Sequence, residues 1–115
     1  MGPSCTAYLI SAWKGPLMAV AVQMDFEGAT LDQYDAVLAK MGLQNGGPGP
    51  TGAISHWAAK TDNGLRVTDV WVSKEVFEKF AQEQIGPFTQ EAGFQGPPEM
   101  QFFEVHSYFT PGAST

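Results

Sequence analysis

Ala53-Ile54-Ser55-His56-Trp57-Ala58-Ala59-Lys60, then Thr61-Asp62-Asn63-Gly64, then Leu65-Arg66-Val67-Thr68-Asp69-Val70-Trp71-Val72 is the stretch that decides the fold. Two β-rich runs flank four polar residues, which is the pattern of a hairpin. Asn and Gly tolerate the positive φ of a tight type I′ turn, so the turn is placed at Asn63-Gly64. That register faces Asp62 with Leu65, Ala58 with Asp69 and His56 with Trp71. Side chains alternate across a strand, so His56, Ala58, Asp69 and Trp71 are expected on one sheet face.

Outward from the hairpin, each side carries a helix and then one more strand. Upstream, Met18 to Phe26 puts its large apolar groups on even positions, the period of a half-buried strand. Thr30 is a good N-cap, and Asp32 lies in the first turn. Leu31, Tyr34, Val37, Leu38 and Met41 follow at helical spacing, and Gly42 ends the helix. Residues 44–52 are a Gly/Pro loop. Downstream, Ser73 caps a second helix whose buried stripe is expected from Val76, Phe77, Phe80 and Ala81. Ile85-Gly86-Pro87 is expected to interrupt it. Met100 to Phe109 is expected to be the last strand, with His106 echoing His56.

The order strand, helix, strand, strand, helix, strand is a ferredoxin-like βαββαβ, an α+β fold. Right-handed crossovers put both helices on one face of a four-stranded antiparallel sheet, in strand order 4-1-3-2. The other face is left bare, and a second copy is the simplest cover for it. Residues 18–109 form this domain. Residues 1–17 are expected to be a poorly ordered N-terminal extension, and 110–115 a C-terminal tail.

Composition narrows the function. The chain has 115 residues, 43% of them apolar, which suits one folded domain. Twelve acidic groups against six basic ones give a net charge of −6, which disfavours nucleic acid and anionic membrane as partners. No apolar run is long enough to span a bilayer. The single Cys5 has no disulfide partner, and the cytoplasm is the expected compartment. His56 and His106 fall on opposite edge strands, about 14 Å apart, so no metal site is expected. Gly47-Pro48-Gly49-Pro50-Thr51-Gly52 matches the spacing of a dinucleotide motif but follows a helix and enters a strand, the reverse of what that motif requires. No phosphate loop, nucleophile elbow or HExxH sequence is present.

Trp71-Val72-Ser73-Lys74-Glu75-Val76-Phe77, a strand ending in Trp-x-Ser before an acidic helix, resembles the dimeric α/β-barrel superfamily of the antibiotic-biosynthesis monooxygenases. The resemblance implies a homodimer with a small pocket between sheet and helices in each protomer, and a Trp at the position of Trp71 lining it. Some members of that superfamily oxygenate activated aromatic molecules without metal or flavin. Others bind heme through a His of the second helix, but residues 73–92 contain no His.

The candidate catalytic pair is His56 and Asp69. An Asp beside a His orients the ring for service as a general base. The plainer alternative is a His56 bonded to backbone and a solvated Asp69. Trp71, Tyr34 and Phe77 are the candidate substrate-binding residues, with core packing as the competing reading for Trp71 and Tyr34. The leading expectation is a small-molecule-binding protein, in its catalytic form a cofactor-independent monooxygenase acting on an apolar or aromatic ligand. A non-catalytic binding protein and an isomerase or cyclase are the alternatives.

Overall fold

A computed structural model of the chain describes residues 18–110. The expectations for residues 1–17, including Cys5, and for the tail from 111 onward lie outside the described residues. Four strands, β1 (Val20–Glu27), β2 (Ala53–Thr61), β3 (Gly64–Trp71) and β4 (Glu99–Glu104), form one antiparallel sheet. Its order is β2-β3-β1-β4, the ferredoxin-like arrangement. Val20, Val22, Met24 and Phe26 of β1 and Leu65, Val67 and Trp71 of β3 form the floor of the core. Among the described residues, no helix is long and apolar enough to cross a membrane.

Helix α1 (Leu31–Met41) opens with a capping box: Gln33 N donates to Thr30 Oγ1 at 3.1 Å, and Thr30 N donates to Gln33 Oε1 at 3.0 Å. Gly42 closes it in the left-handed region at φ 77°. Leu31, expected on the buried stripe, is exposed; Val37 is buried and Tyr34 and Met41 pack on the core.

The second helix does not break at Ile85-Gly86-Pro87. Helix α2 (Lys74–Phe80) runs through a π-turn (Ala81–Ile85) into helix α3 (Gly86–Glu91). Pro87 brings no N–H, and the helix absorbs it by widening one turn, with Gly86 N donating to Ala81 O. Thr89 Oγ1 donates back to Ile85 O at 2.7 Å. Val76, expected in the buried stripe, is exposed, whereas Phe77 is buried.

Three further expectations are corrected. The hairpin turns at Asp62-Asn63, so Thr61 pairs with Gly64 and His56 with Asp69. The shift is two residues, which preserves the face of every side chain. A bulge at Ile54 then brings Ala53 opposite Trp71. Gly64 is also not needed for a positive φ. It sits in the sheet against Glu27, where a Cβ would lie 2.1 Å from Phe26 O. Gly64→Ala is therefore expected to destabilise the fold by about 1–3 kcal/mol, as an overpacked contact does. Urea unfolding measures this, and a midpoint equal to the parent's would refute the close approach. Finally, β4 ends at Glu104 because that residue already faces Val20, the first of its partner strand. His106 lies past the strand, so it does not echo His56.

Helices and core occupy one face. The other carries Ala21, Val70, Trp57 and Phe103, with Asp25 and Arg66 bonded across strands at 2.7 Å. Trp57 and Phe103 are 51% and 52% exposed.

Candidate active site

The sheet and helices enclose a cavity of about 490 Å³. Met24, Leu65, Val67 and Trp71 form its floor, and Val37, Leu38 and Met41 of α1 one wall. Phe80, Ile85 and Thr89, presented by the second helical run across its π-turn, form another wall with Phe94. The Gly/Pro loop from Leu43 to Pro50 is the rim. Most of this surface is apolar. The polar groups converge at one edge, where β2 passes under α1.

There, four side chains form one hydrogen-bonded chain. Tyr34 Oη lies 2.5 Å from His56 Nε2, and His56 Nδ1 lies 2.6 Å from Asp69 Oδ1. Trp71 Nε1 donates to Asp69 Oδ2 at 3.0 Å. The helical stripe of α1 delivers Tyr34, and the β2–β3 pairing delivers His56 directly opposite Asp69. The phenol and imidazole rings are nearly parallel, 7° apart in tilt with centroids at 6.0 Å.

Asp69 is 4% exposed, and a buried carboxylate is costly unless bonded. Each of its oxygens has one donor, so the carboxylate is held in a fixed orientation. Trp71 holds it from behind and is itself wedged against Phe80 and Phe77, at 5.0 and 5.6 Å between ring centroids. With Asp69 accepting from Nδ1, the His56 proton sits on that nitrogen. Nε2 is then left as acceptor for the Tyr34 hydroxyl. The His56 side chain is 40% exposed, so this end of the chain opens on the cavity mouth.

Burial raises the Tyr34 phenol above its ordinary 10.0, and the charges of Asp69 and Asp35 push it the same way. The hydroxyl therefore keeps its proton at neutral pH and donates it. The folded state holds this proton more tightly than the unfolded chain, so stability from Tyr34 is present below pH 10.0 and is lost as pH rises through the folded value. Tyr34→Phe should flatten that alkaline loss. Urea midpoints taken on both sides of pH 10.0 test it; an unchanged alkaline slope in the variant would refute the assignment.

Tyr34, His56, Asp69 and Trp71, four of the five residues singled out from sequence, thus meet in one network. Phe77 does not line the cavity. It is 1% exposed and packs between Trp71 and Phe102, in the core behind the site. Sequence reasoning missed Phe80, Ile85, Thr89 and Phe94 as wall residues and the 43–50 loop as the rim. The Ile85-Gly86-Pro87 signal was visible, but its consequence, a widened turn rather than a break, was not. Among the described residues, no three His, Cys, Asp or Glu side chains cluster in a way that could hold a metal ion.

No family model matches the chain, and no curated protein matches it by sequence. Solved structures do match it in three dimensions. A protein of unknown function from Nitrosomonas europaea, 17% identical, superposes with a TM-score of 0.62 over 84% of this chain and 98% of its own. A monooxygenase from the gene ActVA-Orf6 of Streptomyces coelicolor, solved with the ligand nanaomycin D, is 17% identical. It superposes with a TM-score of 0.50 over 84% of this chain and 94% of its own. The likeness is one of fold, a ferredoxin-like four-stranded sheet with helices packed on it. A conserved protein from Methanosarcina mazei Go1 shares it at 10% identity and a TM-score of 0.51, over 80% of this chain and 97% of its own. Within this shared fold the present chain builds its polar edge from Tyr34, His56 and Asp69.

Proposed function

We propose that this protein is a cofactor-independent monooxygenase that oxidises an apolar hydroxyarene to a quinone, with His56 as the base and Asp69 as the residue that positions it. The observation that supports this reading is the Tyr34–His56–Asp69 chain opening on an apolar cavity. The monooxygenase-like fold is consistent with it. A hydroxyarene binds with its ring against the apolar walls and its hydroxyl beside Tyr34. Its O–H proton passes to the Tyr34 oxygen as the Tyr34 proton passes to His56 Nε2, so Tyr34 is neutral before and after. Asp69 keeps the resulting imidazolium in place.

The electron-rich arenolate then reduces dioxygen by one electron, and the two radicals join as a carbon-bound peroxide. Loss of the C–H proton and cleavage of the O–O bond release water and leave a new carbonyl. One hydroxyarene and one dioxygen give one quinone and one water, with the substrate as the only reductant. A dihydroxynaphthalene in air tests this: oxygen uptake and quinone absorbance should rise together with purified protein. Binding of the probe without oxygen uptake would leave the chain a ligand-binding protein instead.

We further propose that the helix-free sheet face pairs with a second copy, covering Trp57 and Phe103. Sedimentation at micromolar concentration should give a dimer, and Trp57→Lys should shift it toward monomer. A parent chain that stays monomeric would remove this assembly.

A further inference from the structure

We propose that the cavity selects uncharged hydroxyarenes and rejects the same skeleton once it carries a carboxylate, because an anion is stable there only when its own proton has stayed inside on His56. This inference rests on the hydroxyarene reading and adds the charge state in which the ligand must arrive.

The carrying observation is the sign of the cavity's charges. Two carboxylates line it, the exposed Asp35 of α1 and the buried Asp69 at the polar edge. Among the described residues, no Lys or Arg lines it. Each basic side chain within the described residues is placed elsewhere. Lys40 pairs with Glu91 at 3.2 Å, and Lys79 lies 4.0 Å from Glu83. Arg66 pairs with Asp25 on the opposite sheet face. Lys74 sits over the Phe102 ring at 4.6 Å, and Lys60 borders a separate shallow hollow near Asn63. The whole chain adds a net charge of −6 to the same field.

Among the described residues, an incoming carboxylate therefore meets apolar walls, two like charges and no fixed cation. It loses hydration without gaining a partner, the unfavourable case for a buried ion. His56 does not remedy this, since its positive form is already paired with Asp69 at 2.6 Å. A neutral hydroxyarene is different. When its proton moves to His56, one anion and one cation appear together and the total charge of the site is unchanged. The Tyr34 phenol, bonded to the same Nε2, feels the field that a ligand hydroxyl would feel. Burial, Asp69 and Asp35 all oppose its ionisation.

Three fluorescent probes separate charge from shape: naphthol, hydroxynaphthoate and the methyl ester of hydroxynaphthoate. Titration of the full chain without oxygen reads binding independently of turnover. Naphthol and the ester should bind with similar Kd, and hydroxynaphthoate at least about tenfold more weakly. Asp35→Lys should restore hydroxynaphthoate binding to within about threefold of the ester. Hydroxynaphthoate binding as tightly as its ester would overturn the proposal, and so would failure of both uncharged probes to bind. Uncharged probes that bind selectively but never consume oxygen in air would instead defeat the oxygenase reading and leave this selection standing.

Discussion

His56→Ala should lower the turnover of a bound hydroxyarene by about 10²–10⁴-fold, the usual contribution of a positioned general base. The loss should fall on kcat, because the apolar walls that hold the ring are untouched. The fold should survive. The His56 side chain is 40% exposed at the cavity mouth and belongs to no part of the buried core. Its removal admits water to Asp69 Oδ1, which replaces the lost donor, while Trp71 still holds Oδ2. Circular dichroism and a urea midpoint establish that the variant is folded before its rate is read. A folded variant that turns over at the parental rate would place the base elsewhere.

Trp71→Ala should cost about 3–5 kcal/mol of stability, the range for deleting a buried aromatic ring. Three losses combine there. The ring is 1% exposed and wedged between Phe77 and Phe80, so truncation leaves a void in the core. The indole N–H is one of two donors, among the described residues, to a carboxylate that is 4% exposed. The floor of the cavity also loses its largest side chain. Against a domain stability of about 5–15 kcal/mol this is a large fraction, and a variant that unfolds is unsuitable for kinetics. Trp71→Phe separates the effects. It keeps one aromatic ring in the core and removes the indole N–H with the few atoms of the second ring, so stability should fall by about 1–3 kcal/mol while Asp69 loosens and kcat drops. A Trp71→Phe enzyme with parental kcat would show that the indole serves packing alone.

The strands were legible because their burial is written in alternation. Val20, Val22, Met24 and Phe26 are the even positions of the first run, and all four are buried. The hairpin was legible to its faces but not to its register. Asn63-Gly64 looked like the turn because the pair suits positive φ, yet Gly64 is selected by the nearness of the Phe26 carbonyl on another strand. A local sequence signal does not carry that long-range contact. Because the shift was two residues, His56 and Asp69 still shared a face and came closer together than the hairpin pattern alone placed them. The end of β4 was illegible for a similar reason: apolar residues continue past Glu104, but the partner strand does not.

The helices divided along the same line. Thr30 and Ser73 announced their caps through local chemistry, and both side chains accept backbone N–H bonds. Leu31 and Val76, apolar and near the stripe, turned out exposed because helix rotation is set by tertiary packing. Tyr34 lay on the right face, but its bond to His56 joins residues 22 positions apart on different elements and had no signature in either segment. Phe77, a candidate substrate-binding residue, packs in the core instead, and the second helical run lines the cavity with Phe80 and Ile85.

The most direct test of the oxygenase chemistry is product analysis after turnover of a dihydroxynaphthalene under isotopically labelled dioxygen. The expected result is a quinone carrying one labelled oxygen, the second label in water, and at least about 10²-fold less of that product from His56→Ala over the same time. A quinone whose new oxygen comes from solvent, or an equal yield from His56→Ala, would contradict it.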